Sequence, residues 1–526
     1  MSTARMKVLT ALIATLAFAT VTSAAVASPA TEIVQASSYI VQAPSLAEAR
    51  AAVEKVGGTV THELGIINAV SARLSVDQLD ALRRDANVTL HADRTSAVTG
   101  AVDAGPPSDF VTQTGASQLH AQGLSGKGVT VAVLDTGMFN LWPITKDLKN
   151  YFKVKAQYDA ISNSTYVPPA GKPPLTTDQS GHGTHITTII GSKRQDVSGN
   201  FNGMAPDAGI VSVKAFDANG NGTYANVIRG LDWVVANKST YNIRVLNLSF
   251  GATAQSFYWN DPLNQAVMKA WKAGIVVVAS AGNWGPYAQS ITVPGNVPYV
   301  ITVGAMTDSY TPANPNDDRL ASFSGTGPTY EGFVKPEVVA PGGHVTGIMD
   351  QSMTIPTQHP EFYFSYAGVT RYFTMSGTSQ SAAVVSGAVA LMLQAQPTLT
   401  PNQVKCKLMS AARAAVDASG KLAYSVFQQG TGLINVYDAV YNPNLNCANV
   451  GLDIAADLAG TKHFGGAARQ KADGTFYVVD QNGVEFGQQG YLWNNGYLWN
   501  NGYLWNQSFV PSTTSVSGVN HWVEQE

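Results

Sequence analysis

Residues 129–137 read VTVAVLDTG, six apolar or β-branched positions running without interruption into an acid, a hydroxyl and a glycine. A strand with one face in water alternates polar and apolar residues. A strand with no alternation is buried on both faces, as in a parallel sheet covered by helices. Asp-Thr-Gly then marks a turn at the strand's carboxyl end, the edge at which such sheets collect their chemistry. Runs of the same kind recur at Ile210–Ala215, Val245–Leu248, Ile275–Ala279 and Tyr299–Val303, with helical spacing between them at Ala225–Ala236 and Asp261–Lys272. The alternation predicts an α/β fold over 110–446, a parallel sheet sandwiched by helices.

The flanks have a different character. Residues 1–27 carry Arg5 and Lys7, an apolar run from Val8 to Ala19 and small residues up to Ala27, which is the layout of a signal peptide cleaved after Ala27. The run is shorter than the roughly 20 residues that span a bilayer, so a secreted, extracellular protein with no membrane partner is expected. Over 37–98 the periodicity gives strand, helix, two strands, helix and strand. This βαββαβ order predicts a small α+β, ferredoxin-like domain. TGAVDAGPPSD at 99–109 reads as an exposed, cleavable linker. The tail, 447–526, contains the hexapeptide repeat GYLWNNGYLWNNGYLWNQ at 490–507. It reads as an attachment strip of exposed Trp, as short turn units packed on the neighbouring domain, or as expanded low-complexity sequence. Cys406 and Cys447 are the only cysteines, and in an oxidising compartment a pair more often bridges than stays free. Charged residues are 13% of the chain and the net charge is -3, which gives no reason to expect nucleic acid as a partner.

Three stretches each bring a reactive side chain to a strand end or a helix start: Asp135 in VAVLDTG, His182 in DQSGHGTHITTIIG and Ser379 in SGTSQSAAVVSGAVALM. A hydroxyl is a weak nucleophile until a base takes its proton, and an imidazole base needs a carboxylate to fix its tautomer. Any one of the three has an ordinary reading as a turn, a metal pair or a helix cap. Their joint occurrence in the order Asp, His, Ser points to nucleophilic acyl transfer.

Further blocks follow the same course: GMAPDAGIVSVKAFDANGNGTYA at 203–225, LNLSFG at 246–251, VVVASAGN ending at Asn283, PYVITVGA at 298–305 and VVAPGG at 338–343. Together they make the region from about 110 to 435 resemble the subtilisin-like serine proteases. The resemblance implies a secreted serine endopeptidase, with Ser379 as nucleophile, His182 as general base and then acid, Asp135 orienting it, and Asn283 as oxyanion donor. It also implies polypeptide substrates lying between Gly220-Asn221-Gly222 and Ser249-Phe250-Gly251, and a specificity pocket walled by Phe250, Ser280, Ala281 and Gly282, with Thr292 at its floor and Trp284 beside it. His185 takes a structural role. The 37–98 domain takes the part of a propeptide, a chaperone and inhibitor removed by cleavage between about 95 and 110. A monomer is expected, no cofactor is required for the chemistry, and structural calcium is expected at Asp147 or in DVSGNFNG at 196–203 if anywhere. After Ser379 the family commonly continues Met, Ala, Ser, Pro, His. This chain has Gln380, Ser381, Ala382, Ala383 and Val384, the feature that motivates the rival reading of a catalytically impaired relative acting as a binding protein.

Overall fold

The computed structural model describes residues 37–65, 68–92, 106–366, 369–480, 483–485, 503–504, 516–518 and 523. The expected signal peptide at 1–27, most of the 99–109 stretch expected as a linker and nearly all of the hexapeptide repeat lie outside them. The chain divides into two units, Met1–Gly100 and Ala101–Glu526.

In the first unit the elements run β1 (Ser37–Gln42), α1 (Leu46–Lys55), β2 (Thr59–Leu64), β3 (Ala69–Leu74), α2 (Val76–Leu82) and β4 (Thr89–Ala92). The antiparallel sheet has the order β2-β3-β1-β4. Both helices begin at a serine whose hydroxyl accepts from a backbone N–H, and Ser75 with Gln78 forms a reciprocal capping box. The core is small: Val41, Val53, Val70, Leu74, Leu79 and Leu82 are its largest buried side chains.

In the second unit the unbroken apolar runs form the sheet. Its strands are β5 (Thr130–Asp135), β6 (Val154–Asp159), β7 (Ser164–Tyr166), β8 (Gly209–Lys214), β10 (Ile243–Leu248), β11 (Val276–Ser280), β12 (Ile301–Thr307), β13 (Arg319–Leu320) and β14 (Val338–Pro341). They lie in the order β13-β12-β11-β10-β5-β8-β6-β7, with β14 also on β12. The inner pairs are parallel and only the edge pairs β12·β13 and β6·β7 are antiparallel. Every residue of β5, β11 and β12 is buried, which is why these strands show no alternation. The short β9 (Asn221–Thr223) stands outside this sheet and leads into helix α4 (Tyr224–Ala236).

Helices α3 (His182–Gly191), α5 (Pro262–Lys272), α6 (Thr378–Ala395) and α7 (Pro401–Ala411) all pack against the sheet. In α6 every residue from Thr378 to Leu393 is buried. Each fully buried Val or Leu there contributes about 1.5–3 kcal/mol relative to exposure, so the helix is anchored by its length and not by its caps.

The strand expected at Tyr299–Val303 instead begins at Ile301 and continues to Thr307. The Tyr299 carbonyl is drawn out of ladder pairing by two side-chain donors, Lys405 Nζ at 3.2 Å and Asn449 Nδ2 at 2.9 Å. The described chain from Cys447 to residue 480 remains with this core. Cys447 is bridged to Cys406 on α7, Phe464 and Val478 are buried in the main cluster, and buried Asp457 accepts from the hydroxyls of Tyr258 (2.6 Å) and Tyr299 (3.0 Å). Closing a loop of this size contributes about 3–4 kcal/mol in the chain-entropy account.

Candidate active site

Asp135 is the last residue of β5 and His182 the first of α3, both almost fully buried. His182 Nδ1 lies 2.7 Å from Asp135 Oδ1. The same carboxylate oxygen accepts from the Thr136 N–H at 2.8 Å, which fixes the carboxylate as the imidazole's partner. Helix α3 can start this close because residue 183 is glycine: a Cβ there would stand 2.3 Å from the Gly137 carbonyl.

Sequence reading missed what holds the start of α3. Buried Asp178 accepts from the N–H groups of Ser180 and Gly181 (3.0 Å each), from the Thr184 N–H at 2.9 Å and from the Thr184 hydroxyl at 2.6 Å. Its position four residues before His182, ahead of a helical run, is a capping signal legible in the sequence. Thr136 adds a second tie, its hydroxyl accepting from the Gly183 N–H at 2.9 Å.

Ser379 is the second residue of α6. Its hydroxyl donates to the Ser249 carbonyl at 3.1 Å, and among the described residues no hydrogen bond joins it to His182. Ser249 is locked in return: its own hydroxyl donates to the Ser379 carbonyl at 2.9 Å and accepts from Asn247 Nδ2 at 2.8 Å, while Asn247 Oδ1 accepts from the Ser386 hydroxyl at 2.8 Å. This chain of buried bonds ties the end of β10 to two turns of α6 and sets the height of Ser379 above the sheet. Gln380 is buried beneath the helix start, its amide 4.0 Å from Met375 Sδ, and α6 forms without the family's proline.

Asn283 follows β11. Its Oδ1 accepts from the Thr378 N–H at 2.9 Å and from the Thr378 hydroxyl at 2.8 Å, which turns Nδ2 toward Gly377, where a Cβ would come within 3.2 Å of it. Amide donor, helix N-terminus and Ser379 therefore share one side of the cleft.

Phe250, Gly251, Ser280, Gly282, Asn283, Trp284, Thr292, Thr378, Ser379 and Gly518 line one small cavity. Ala281 is set back, its carbonyl accepting from the Thr292 N–H at 3.0 Å. Thr292 is buried, and its side chain presses on Gly251 and Gly282, at each of which a Cβ would come within 2.5 Å of it. Asn221 and Gly222 lie in β9, and Gly220 precedes it with φ 76°, a left-handed turn that brings β9 to the cleft.

His185 stands apart from this chemistry. It is fully buried, its Nε2 lies 3.2 Å from the Phe373 carbonyl, and burial, with His182 nearby, pushes its pKa down to about 3, so the ring is neutral. Among the described residues no group of three or more His, Cys, Asp or Glu is placed to hold a metal ion.

The subtilase family model matches residues 126–432. The serine protease AprX of Bacillus subtilis (strain 168) is 38% identical over 295 residues, 54% of this chain and 61% of that protein, so the chain spans about three fifths of that relative's length. Subtilisin E of Bacillus subtilis (strain 168) is 30% identical over 436 residues, 81% of this chain and 96% of its own. Two solved structures share the fold. Fervidolysin from Fervidobacterium pennivorans, a keratinolytic enzyme related to subtilisin, has a TM-score of 0.51 and 24% identity, covering 86% of this chain and 68% of its own. The CspB protease of Clostridium perfringens has a TM-score of 0.53 and 18% identity, covering 64% and 98%.

Proposed function

The chain belongs to the subtilase family of serine-type peptidases, and from that premise we propose that it is a secreted endopeptidase working through Asp135, His182 and Ser379. The observation that carries the reading is the 2.7 Å contact of His182 with buried Asp135 at the carboxyl edge of the sheet, in one unit with Ser379 at a helix start. Ser379 turns about χ1 from the Ser249 carbonyl to His182 Nε2 when a peptide enters. Such contacts are commonly loose before substrate arrives. Its oxygen attacks the scissile carbonyl, the proton passes to Nε2, and Asp135 holds the Nδ1–H tautomer and steadies the imidazolium. His182 then protonates the leaving amine, and water releases the acyl group by the same route in reverse.

The oxyanion is met by Asn283 Nδ2 and the Ser379 N–H. Asn283→Ala is expected to lower kcat about 10²- to 10³-fold with little change in KM, because the bond forms only as charge develops. Steady-state kinetics on a peptide substrate check this, and an equal loss in KM would make Asn283 a ground-state binder instead.

The substrate backbone runs between Gly220-Asn221-Gly222 and Ser249-Phe250-Gly251. Thr292, pressed on Gly251 and Gly282, limits the pocket to small apolar side chains, and no acidic group is among its lining residues to select Lys or Arg. Thr292→Gly is expected to raise the kcat/KM ratio for Phe over Ala before the cut by about tenfold or more. An unchanged ratio in a peptide library would move the pocket floor elsewhere.

Residues 1–27 direct export, and the 37–98 domain acts as propeptide and inhibitor, released by cleavage within about 95–110. This rests on its βαββαβ order and its place before the peptidase region. Calcium is not part of the reading. At Asp147 the backbone carbonyl already accepts from Lys193 Nζ at 2.8 Å, and the same ammonium bonds Asn150 Oδ1. Asp196 spends its Oδ1 on the N–H groups of Ser198 (2.8 Å) and Asn200 (2.9 Å). At Asp147 the Lys193 ammonium already takes two oxygens that a cation would use, so that loop does not fit one.

Incubating the secreted protein with casein and a serine-directed phosphonate tests the whole assignment. Fragmentation of casein and a phosphonyl adduct on Ser379 are expected, and an adduct on another serine would reassign the nucleophile.

A further inference from the structure

Resting on the reading of 220–222 and 249–251 as the substrate groove, we propose that this groove has an intramolecular occupant. It is the chain's own C-terminal segment Val516–Gly518, which docks as an added strand and holds off peptide substrates. This strand, β15 here, pairs antiparallel with β9: Val516 lies opposite Thr223, Ser517 opposite Gly222 and Gly518 opposite Asn221. On its other side the Gly518 N–H donates to the Gly251 carbonyl at 3.2 Å, and the Gly251 N–H donates to the Gly518 carbonyl at 3.3 Å. The segment thus pairs with β9 on one side and bridges Gly251 on the other, satisfying both backbone edges that a substrate's backbone would use. Gly518 closes the ring of residues around the cavity that holds Ser379 and Asn283. Further on, Val523 packs against the buried cluster of Ala305, Ala321 and Phe323, a second anchor beyond the groove.

An exposed strand edge recruits any extended segment, since the bonds are to backbone and not to side chains. A tethered segment needs little intrinsic affinity, because tethering turns its docking into an intramolecular step. Substrate competes with it, so apparent KM is the intrinsic value divided by the unoccupied fraction, a tenfold rise at about nine-tenths occupancy, while kcat stays as it is once substrate saturates.

Three forms of the secreted protein separate the possibilities: the full chain, a chain ending at residue 515, and Gly518→Pro. The proline removes the N–H that donates to Gly251 and puts its ring Cδ against that carbonyl, so it disfavours the docked strand. All three carry the same N-terminal segment, so any inhibition from that end cancels. On a chromogenic peptide with four residues before the cut, KM is expected to fall about tenfold or more in both variants, with kcat within about twofold of the full chain. A peptide of residues 513–520 added to the shortened enzyme is expected to inhibit competitively. Should the shortened chain fail to fold by circular dichroism, Gly518→Pro carries the comparison. Equal KM in all folded forms that cleave would overturn the tail's role and leave the peptidase reading standing. Folded protein that neither cleaves the peptide nor takes up phosphonate in any form would overturn both.

Discussion

Ser379→Ala is expected to reduce kcat by about 10⁶-fold while leaving the urea midpoint within the range of a small buried change, because the three groups act as a unit and removing the nucleophile removes all of their joint contribution. A residual rate of about 10³-fold over water should survive, supplied by Asn283, the helix N-terminus and the groove. Asp135→Asn is expected to cost about 10⁴-fold, since the amide would favour the wrong imidazole tautomer while keeping the 2.7 Å geometry. Casein and chromogenic-peptide assays on protein purified free of host proteases measure both. A Ser379→Ala protein that digests casein at the parent rate sinks the assignment. A folded parent that leaves casein intact, as Ser379→Ala does, would favour the impaired relative motivated by Gln380 and the missing proline.

Glu337→Gln is expected to lower stability by about 3–5 kcal/mol, the cost of breaking a buried ion pair from one side. Glu337 Oε1 lies 2.7 Å from Lys335 Nζ and 2.8 Å from Lys405 Nζ, and its Oε2 accepts from the Thr302 N–H at 2.7 Å, all three charged residues being buried. Lys335 also donates to the Val300 carbonyl, and Lys405 to the carbonyls of Pro298, Tyr299 and Val300. Even with Glu337 present, burial pushes the Lys335 pKa down to about 7 and lowers that of Lys405, so desolvation outweighs the carboxylate. Taking the carboxylate away leaves two ammonium groups with only carbonyl and hydroxyl partners.

The pH dependence follows from the sign of those shifts. A lysine whose pKa is lower in the folded than in the unfolded chain binds its proton preferentially when unfolded. Its contribution to stability is therefore present above the unfolded value near 10.4 and is lost as pH falls toward the folded value near 7. The deficit of Glu337→Gln should accordingly be smaller at pH 10 than at pH 7, because folded Lys335 sheds its proton as pH rises through its value near 7. Urea midpoints at the two pH values check it. A variant within about 1 kcal/mol of the parent at pH 7 would mean that water or rearrangement solvates the site. Replacing all three residues by apolar ones of similar volume should recover most of the loss.

Much of this molecule is legible in its sequence because the decisive signals are local. An uninterrupted apolar run can be buried on both faces only inside a covered sheet, and an acid, an imidazole or a hydroxyl at a strand end or helix start projects to the edge of that sheet. VTVAVLDTG, the segment opening with His182 and the segment opening with Thr378 carry that information within a dozen residues each. Asp178 is equally local, a carboxylate ahead of a helix, but the two histidines that follow it carry the stronger chemical signal.

Contacts that join distant segments have no such signature. Nothing near Lys335 indicates that Glu337 will also serve Lys405, and nothing near Asn247 indicates a bond to Ser386, because burial of each polar group sets only the requirement for a partner and chain topology selects which one. The tail is the extreme case. Val516-Ser517-Gly518 is featureless as sequence, and a strand added through backbone bonds leaves no side-chain pattern to read. The sheet and the placing of its reactive residues follow from periodicity and turn chemistry along the chain, and the family from the motif blocks around Asp135, His182, Asn283 and Ser379. Only the tertiary structure decided which buried charges share a partner and which segment lies in the groove, since those depend on edges and cavities that exist once the chain has folded.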